Sequence, residues 1–109
     1  MADLFKEQVL HLSEAHFLVL YWVAQTEDRG TPYNITNCFD DLKFLNITRT
    51  KQNAVAVIES LSALRFVDIR DEGNRRNLYI TEHGAKALEM LVLRQAFKAK
   101  KSAFLEVQT

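Results

Sequence analysis

The chain has 109 residues, 48% of them hydrophobic, which suits one domain around one core; no apolar run reaches the roughly 18 residues a membrane span needs. Its single cysteine, Cys38, excludes an intrachain disulfide and points to a reducing, cytoplasmic setting. The 14 basic and 14 acidic side chains cancel but are segregated: residues 1–42 hold two basic and seven acidic groups, residues 43–109 twelve and seven, so the chain can turn a basic face toward phosphate while staying neutral.

A leading helix is expected within residues 1–12, with Leu4, Phe5, Val9 and Leu12 apolar. Ser13 is placed to cap the next helix, and Glu14 complements its positive end. From Glu14 to Thr26 that helix is almost wholly apolar, so it belongs in the middle of the core. Charge, Gly30 and Pro32 break it. A further helix from about Asn34 to Leu45 sets Ile35, Phe39, Leu42 and Leu45 on one side. Asn46 can take the left-handed conformation that ends it. Thr48 or Thr50 caps a fourth helix running to about Arg65, with Ala54, Val57, Ile58 and Leu61 facing inward. Phe66 to Arg70 and Asn77 to Thr81 alternate like half-buried strands around a turn at Asp71 to Arg76. Thr81 can cap a last helix, Glu82 to Val107.

The expected class is mainly α with a small β-hairpin (α+β): a winged helix-turn-helix core over residues 13–81 and a long C-terminal helix over 82–107, in a single domain, 1–109. The fourth helix carries the chemistry. Its outward face presents Arg49, Gln52, Asn53 and Ala56. Arginine reads guanine in the major groove, asparagine and glutamine read adenine, and alanine lets the backbone come close. Thr48, Thr50 and Lys51 suit phosphates at the start of the helix. Asn74, Arg75 and Arg76 at the hairpin tip form a basic wing. Glu59 would repel phosphate, so the middle of the helix leaves the groove.

Four segments carry a family resemblance: Leu12-Ser13, Leu45 to Thr48, Leu61 to Val67, and Leu78 to Gly84, the last an apolar residue, threonine, glutamate, any residue and glycine. Together they resemble winged-helix transcription regulators of the MarR and PadR kind over roughly residues 12–95. The resemblance implies a homodimeric DNA-binding regulator, and it suggests a small aromatic effector near Tyr21, Trp22 and Tyr33. Three departures stand out. Glu72 and Asn74 replace the aspartate and arginine usual in such wings, Arg65 stands where glycine is usual, and the stretch from Ile47 to Leu61 is about two residues longer than the pattern.

On the expected C-terminal helix, Met90, Leu93, Phe97 and Phe104 make a second apolar stripe nearly opposite Leu88, Leu91 and Val92. One chain of this size covers only one such face, so the second, with Leu4, Phe5 and Val9, is expected to meet a partner subunit. A two-fold dimer would read a pseudo-palindromic site. Catalytic constellations are lacking: His11, His16 and His83 are scattered, and no phosphate loop or nucleophile elbow occurs. Neither an enzyme nor a metal or cofactor is expected. Two readings stand: a sequence-specific double-stranded DNA-binding regulator, a repressor acting as a homodimer, or a winged-helix protein-interaction module.

Overall fold

A computed structural model describes residues 3–108. In chain order the elements are α1 (Leu4–Leu10), α2 (Glu14–Asp28), α3 (Ile35–Phe44), α4 (Lys51–Ala63), β1 (Val67–Glu72), β2 (Arg75–Ile80), α5 (Glu82–Leu93) and α6 (Ala103–Gln108). The apolar α2 is central, burying Phe17, Leu18, Val19, Leu20 and Trp22 and packing against α3, α4, α5 and β2. α3 and α4 make the helix-turn-helix. β1 and β2 pair antiparallel from Val67 opposite Ile80 to Glu72 opposite Arg75. The Leu78 N–H of β2 donates to the Tyr33 carbonyl at 2.8 Å, so the segment entering α3 lies along the outer edge of the wing.

Short polar side chains begin the helices. Asn34 accepts from the Asn37 N–H at 2.8 Å, Thr50 from the Asn53 N–H at 3.1 Å, and Thr81 from the Gly84 N–H at 2.8 Å. Four helices end the same way. After α2, α3, α4 and α5 the chain turns left-handed at Gly30, Asn46, Arg65 and Gln95, with φ of 68°, 60°, 66° and 52°. The next N–H then reaches back five residues: Thr31 to Thr26, Ile47 to Leu42 and Phe66 to Leu61 at 2.9 Å, and Ala96 to Leu91 at 3.2 Å. This satisfies carbonyls the helix would otherwise leave orphaned and reverses the chain sharply.

The fourth of these ends overturns the expected long helix over 82–107. α5 stops at Leu93, and an irregular arm leads to the short α6. The stripe of Met90, Leu93, Phe97 and Phe104 therefore does not share one helix face. Phe97 packs on Phe17 with ring centroids 5.7 Å apart, and Phe104 on Tyr33 at 5.4 Å. These two rings are half-buried against the chain's own core, and Val9 is fully buried. Of the expected dimer residues, Leu4 and Leu93 remain strongly exposed, at 65% and 75%, with Phe5 and Met90 half-buried beside them.

The hairpin is also longer and tighter than the alternation suggested. Both strands continue into the expected turn, leaving Gly73 and Asn74 as a two-residue connection. Gly73 takes φ 67° while Asn74 stays negative, the pattern of a type II′ turn, whose twist matches that of the strands.

Candidate nucleic-acid interface

α4 is amphipathic. Ala54, Ile58 and Leu61 are buried, and Gln52, Asn53, Ala56, Glu59 and Ala63 line the solvent side with Arg49, Thr50 and Lys51 exposed at its start. The amide groups of Gln52 and Asn53 form no hydrogen bond among the described residues, and Arg49 forms no ion pair. Thr48 differs. It is 8% exposed and its hydroxyl is buried without a hydrogen-bond partner, so it lies beneath the face formed by its neighbours.

The wing places its arginines on strand β2 rather than in a loop. Alternation sends Arg75 and Arg76 to opposite faces of the hairpin. Arg76 meets Asp71 across the strands at 3.5 Å, and Arg70 bonds Asp68 at 2.9 Å while its guanidinium lies 4.2 Å from the centre of the Tyr79 ring. Glu72 accepts from the Tyr79 hydroxyl and from Asn77 Nδ2. Those two bonds hold its carboxyl below the usual carboxylate range, and the bond to Glu72 pushes the Tyr79 hydroxyl up. Arg75 carries no ion pair among the described residues and points into a crevice of about 280 Å³ between wing and helix-turn-helix, lined also by Thr36, Lys51, Val55 and Asn74.

Lys51 donates to the Thr36 hydroxyl at 3.2 Å across this crevice. Lys51, Arg75 and the first turn of α3 thus converge, two cations beside the positive end of a helix capped by Asn34. The chemistry suits a bridging phosphate. Thr36 was absent from the sequence reading, and the signal for it was the Asn34-x-x-Asn37 capping pattern, which fixes where α3 begins and so which hydroxyl sits in its first turn.

The aromatic residues expected to frame an effector do not enclose a described cavity. Trp22 and Tyr33 are buried core, and Tyr21 is stacked on Phe17 at 5.9 Å. A wide groove of about 730 Å³ lies instead between α1 and α5, floored by Phe5, Leu10, Met90 and Leu93 with Lys6 and Lys86 at its rim. The histidines are apart: His83 packs on Phe5 and Phe66, and His16 bridges Ser13 and Ser60. Cys38 is a free, buried thiol, and burial pushes its pKa above the ordinary range. Among the described residues no three His, Cys, Asp or Glu side chains gather as metal ligands, and no described helix is long and apolar enough to cross a membrane.

No protein-family model matches the sequence, and no curated protein matches it significantly. Solved structures do match. TubR from Bacillus megaterium pBM400 superposes with a TM-score of 0.70 at 22% identity, over 84% of this chain and 98% of that one. A MepR mutant from S. aureus bound to an oligodeoxyribonucleotide gives 0.60 at 18% identity, over 97% and 77%. The adhesin competence repressor AdcR from Streptococcus pyogenes gives 0.59 at 16% identity, over 85% of this chain and 64% of that one. The fold is that of winged-helix proteins.

Proposed function

We propose that this chain is a sequence-specific double-stranded DNA-binding transcription regulator, a repressor, with α4 in the major groove and the wing on the backbone. One observation carries the reading: Arg49, Gln52 and Asn53 stand exposed along the start of α4, beside the Lys51–Thr36–Arg75 crevice. Groups able to read bases and groups able to hold phosphate thus occupy adjoining surface, as groove entry requires. A fold shared with a protein bound to an oligodeoxyribonucleotide and with a named repressor supports it.

The regulator acts as a homodimer through the exposed apolar groove between α1 and α5, lined by Phe5, Leu10, Met90 and Leu93, with Leu4 also exposed on α1. Two-fold symmetry would set the recognition helices about 34 Å apart on one face of the duplex and select a pseudo-palindromic site. A small-molecule effector belongs to this reading only where a cavity exists to take it, which is the α1–α5 groove rather than the aromatic core.

The wing supports a second reading. Its strands carry Asp68, Asp71 and Glu72 against Arg70, Arg75 and Arg76, so the hairpin is neutral, as a protein-interaction module would tolerate and a phosphate-binding wing would not favour. The experiment is selection of duplexes from a random pool, followed by titration at two salt concentrations with mass measured by light scattering. Salt-sensitive, sequence-preferring binding by a dimer is expected. A folded protein that binds no duplex at low salt would refute the DNA reading and favour the interaction module instead.

A further inference from the structure

The residues after α5 close over α2 and α3 at successive points. Phe97 rests on Phe17. The Trp22 indole N–H donates to the Lys100 carbonyl at 2.8 Å, and Lys100 Nζ lies 3.3 Å from Glu14. Ser102 Oγ–H donates to Asp41 Oδ2, the Phe104 N–H donates to Asp41 Oδ1 at 3.0 Å, and the Phe104 ring covers Tyr33.

Asp41 is the unusual member. It lies on the first helix of the helix-turn-helix at 2% exposure, and its hydrogen-bond donors are all neutral: Tyr33 Oη–H at 2.6 Å, Ser102 Oγ–H and the Phe104 N–H. A buried carboxylate with no cation beside it depends on every such donor. Two of them come from the arm. Tyr33, which supplies the third, also accepts the Leu78 N–H of the wing through its backbone carbonyl. One carboxylate therefore joins the arm, α3 and the edge of the wing.

We propose that residues 97–108 form a latch that sets the position of α3 and the wing, and that the docked state binds DNA more tightly than the undocked one. Undocking strips Asp41 of two donors at once and opens it to water, which competes for the remaining bond from Tyr33 and so loosens the residue whose carbonyl holds Leu78 of the wing. The same event frees Lys100 from Glu14 and uncovers Trp22. The part concerning DNA rests on the function proposed above; the coupling of arm to wing does not.

The test uses the full chain with Ser102→Ala and Phe104→Ala combined, and with Ser102→Ala and Ser102→Thr singly. Trp22 is the one tryptophan in the sequence, so acrylamide quenching of its fluorescence reports arm docking. Amide exchange at Leu78 reports the wing, and fluorescence anisotropy on the selected duplex reports affinity. In the double variant quenching should rise, Leu78 exchange should quicken about tenfold with cooperative unfolding retained, and DNA affinity should fall at least about fivefold. Ser102→Ala should show the same changes in smaller measure, which keeps the test decisive if the double variant does not fold, and Ser102→Thr should restore wild-type values. Raised Trp22 quenching with unchanged Leu78 exchange would overturn the latch, leaving the arm a local cover. Faster Leu78 exchange with undiminished DNA affinity would overturn the control of binding. Faster exchange in a protein that binds no duplex, wild type included, would support the latch and refute the DNA reading alone.

Discussion

Gly84→Ala tests how α5 is set against the wing. A Cβ built at Gly84 would lie 1.9 Å from the Phe66 carbonyl oxygen and 2.7 Å from its carbon, both backbone atoms that cannot swing aside. Relieving the contact needs α5 and the start of β1 to separate by more than an ångström, since ordinary van der Waals contact begins at about 3.4 Å. That separation strains three hydrogen bonds around Thr81: its Oγ1–H to the Arg65 carbonyl at 2.6 Å, its N–H to the Phe66 carbonyl at 3.2 Å, and the Gly84 N–H to its Oγ1 at 2.8 Å. Overpacking costs about 1–3 kcal/mol and each lost hydrogen bond about 1 kcal/mol. The better helix propensity of alanine returns about 1 kcal/mol. The expected net loss is about 3–5 kcal/mol if all three bonds are lost, read by urea denaturation followed through far-UV circular dichroism and Trp22 fluorescence together. Stability within about 0.5 kcal/mol of wild type would refute the steric argument. Gly73→Ala is the contrast, because a Cβ there meets nothing within 4 Å and its cost is the left-handed φ of 67°, about 1–2 kcal/mol.

Arg65→Gly should stabilise the protein by about 0.5–1 kcal/mol in the same urea assay, since the left-handed strain relieved exceeds the added freedom of the unfolded chain, whereas Arg65→Ala should give no gain. Thr48→Val should stabilise by about 1 kcal/mol by removing a buried unpartnered hydroxyl, with DNA affinity unchanged in the anisotropy titration. His16 accepts the Ser13 N–H on Nδ1 at 3.1 Å and donates from Nε2 to Ser60, whose own proton goes to the Val57 carbonyl, so the folded state holds the neutral ring, and burial lowers its pKa from 6.5. The unfolded state then binds the proton more readily: this contribution is complete above pH 6.5, falls by at most about 1.4 kcal/mol per pH unit below it, and levels off under the folded pKa. Urea midpoints from pH 8 to pH 4 should keep a constant separation from those of His16→Gln above pH 6.5, with the wild type falling relative to the variant below it, and curves parallel over the whole range would refute it. Asn53→Ala should change base preference at one position by about 1–3 kcal/mol, while Arg75→Ala should weaken binding to every duplex and lower the salt slope by about one ion.

Much of the fold could be read because its signals are local. Thr81, and Thr50 as one of two candidates with Thr48, are short acceptors that cap helices whoever their neighbours are, and the apolar density of α2 permits no surface position. The outward face of α4 followed from a 3.6-residue period alone, and the exposed Gln52, Asn53 and Ala56 match it. The threonine, glutamate and glycine that open α5 were legible as a pattern, but their cause lies across the chain: Thr81 ties the helix start to the Arg65 and Phe66 carbonyls, and Gly84 leaves room for that approach. The crevice at Thr36, Lys51 and Arg75 was not legible for the same reason, since it joins residues from three separate elements.

The long C-terminal helix was misread because the signal that should end it, at Gln95, is silent in its residue type. Of the four left-handed turns that close α2 to α5, Gly30 and Asn46 announce themselves, whereas Arg65 and Gln95 are residues that pay strain to adopt that conformation. What compensates at Arg65 is Phe66, drawn into the core directly after the turn. Beyond Gln95 the return comes from a longer path: Phe97 on Phe17, Lys100 on Trp22, and Ser102 and Phe104 on Asp41. A straight helix would have kept the 3.6-residue period of Met90, Leu93 and Phe97 but forgone the contacts with Phe17, Trp22 and Asp41. Asp41 thus does at long range what glycine usually does locally, making the reversal of the chain the favourable course. A period counted along one segment cannot show that, because the residue that decides it lies more than fifty positions away.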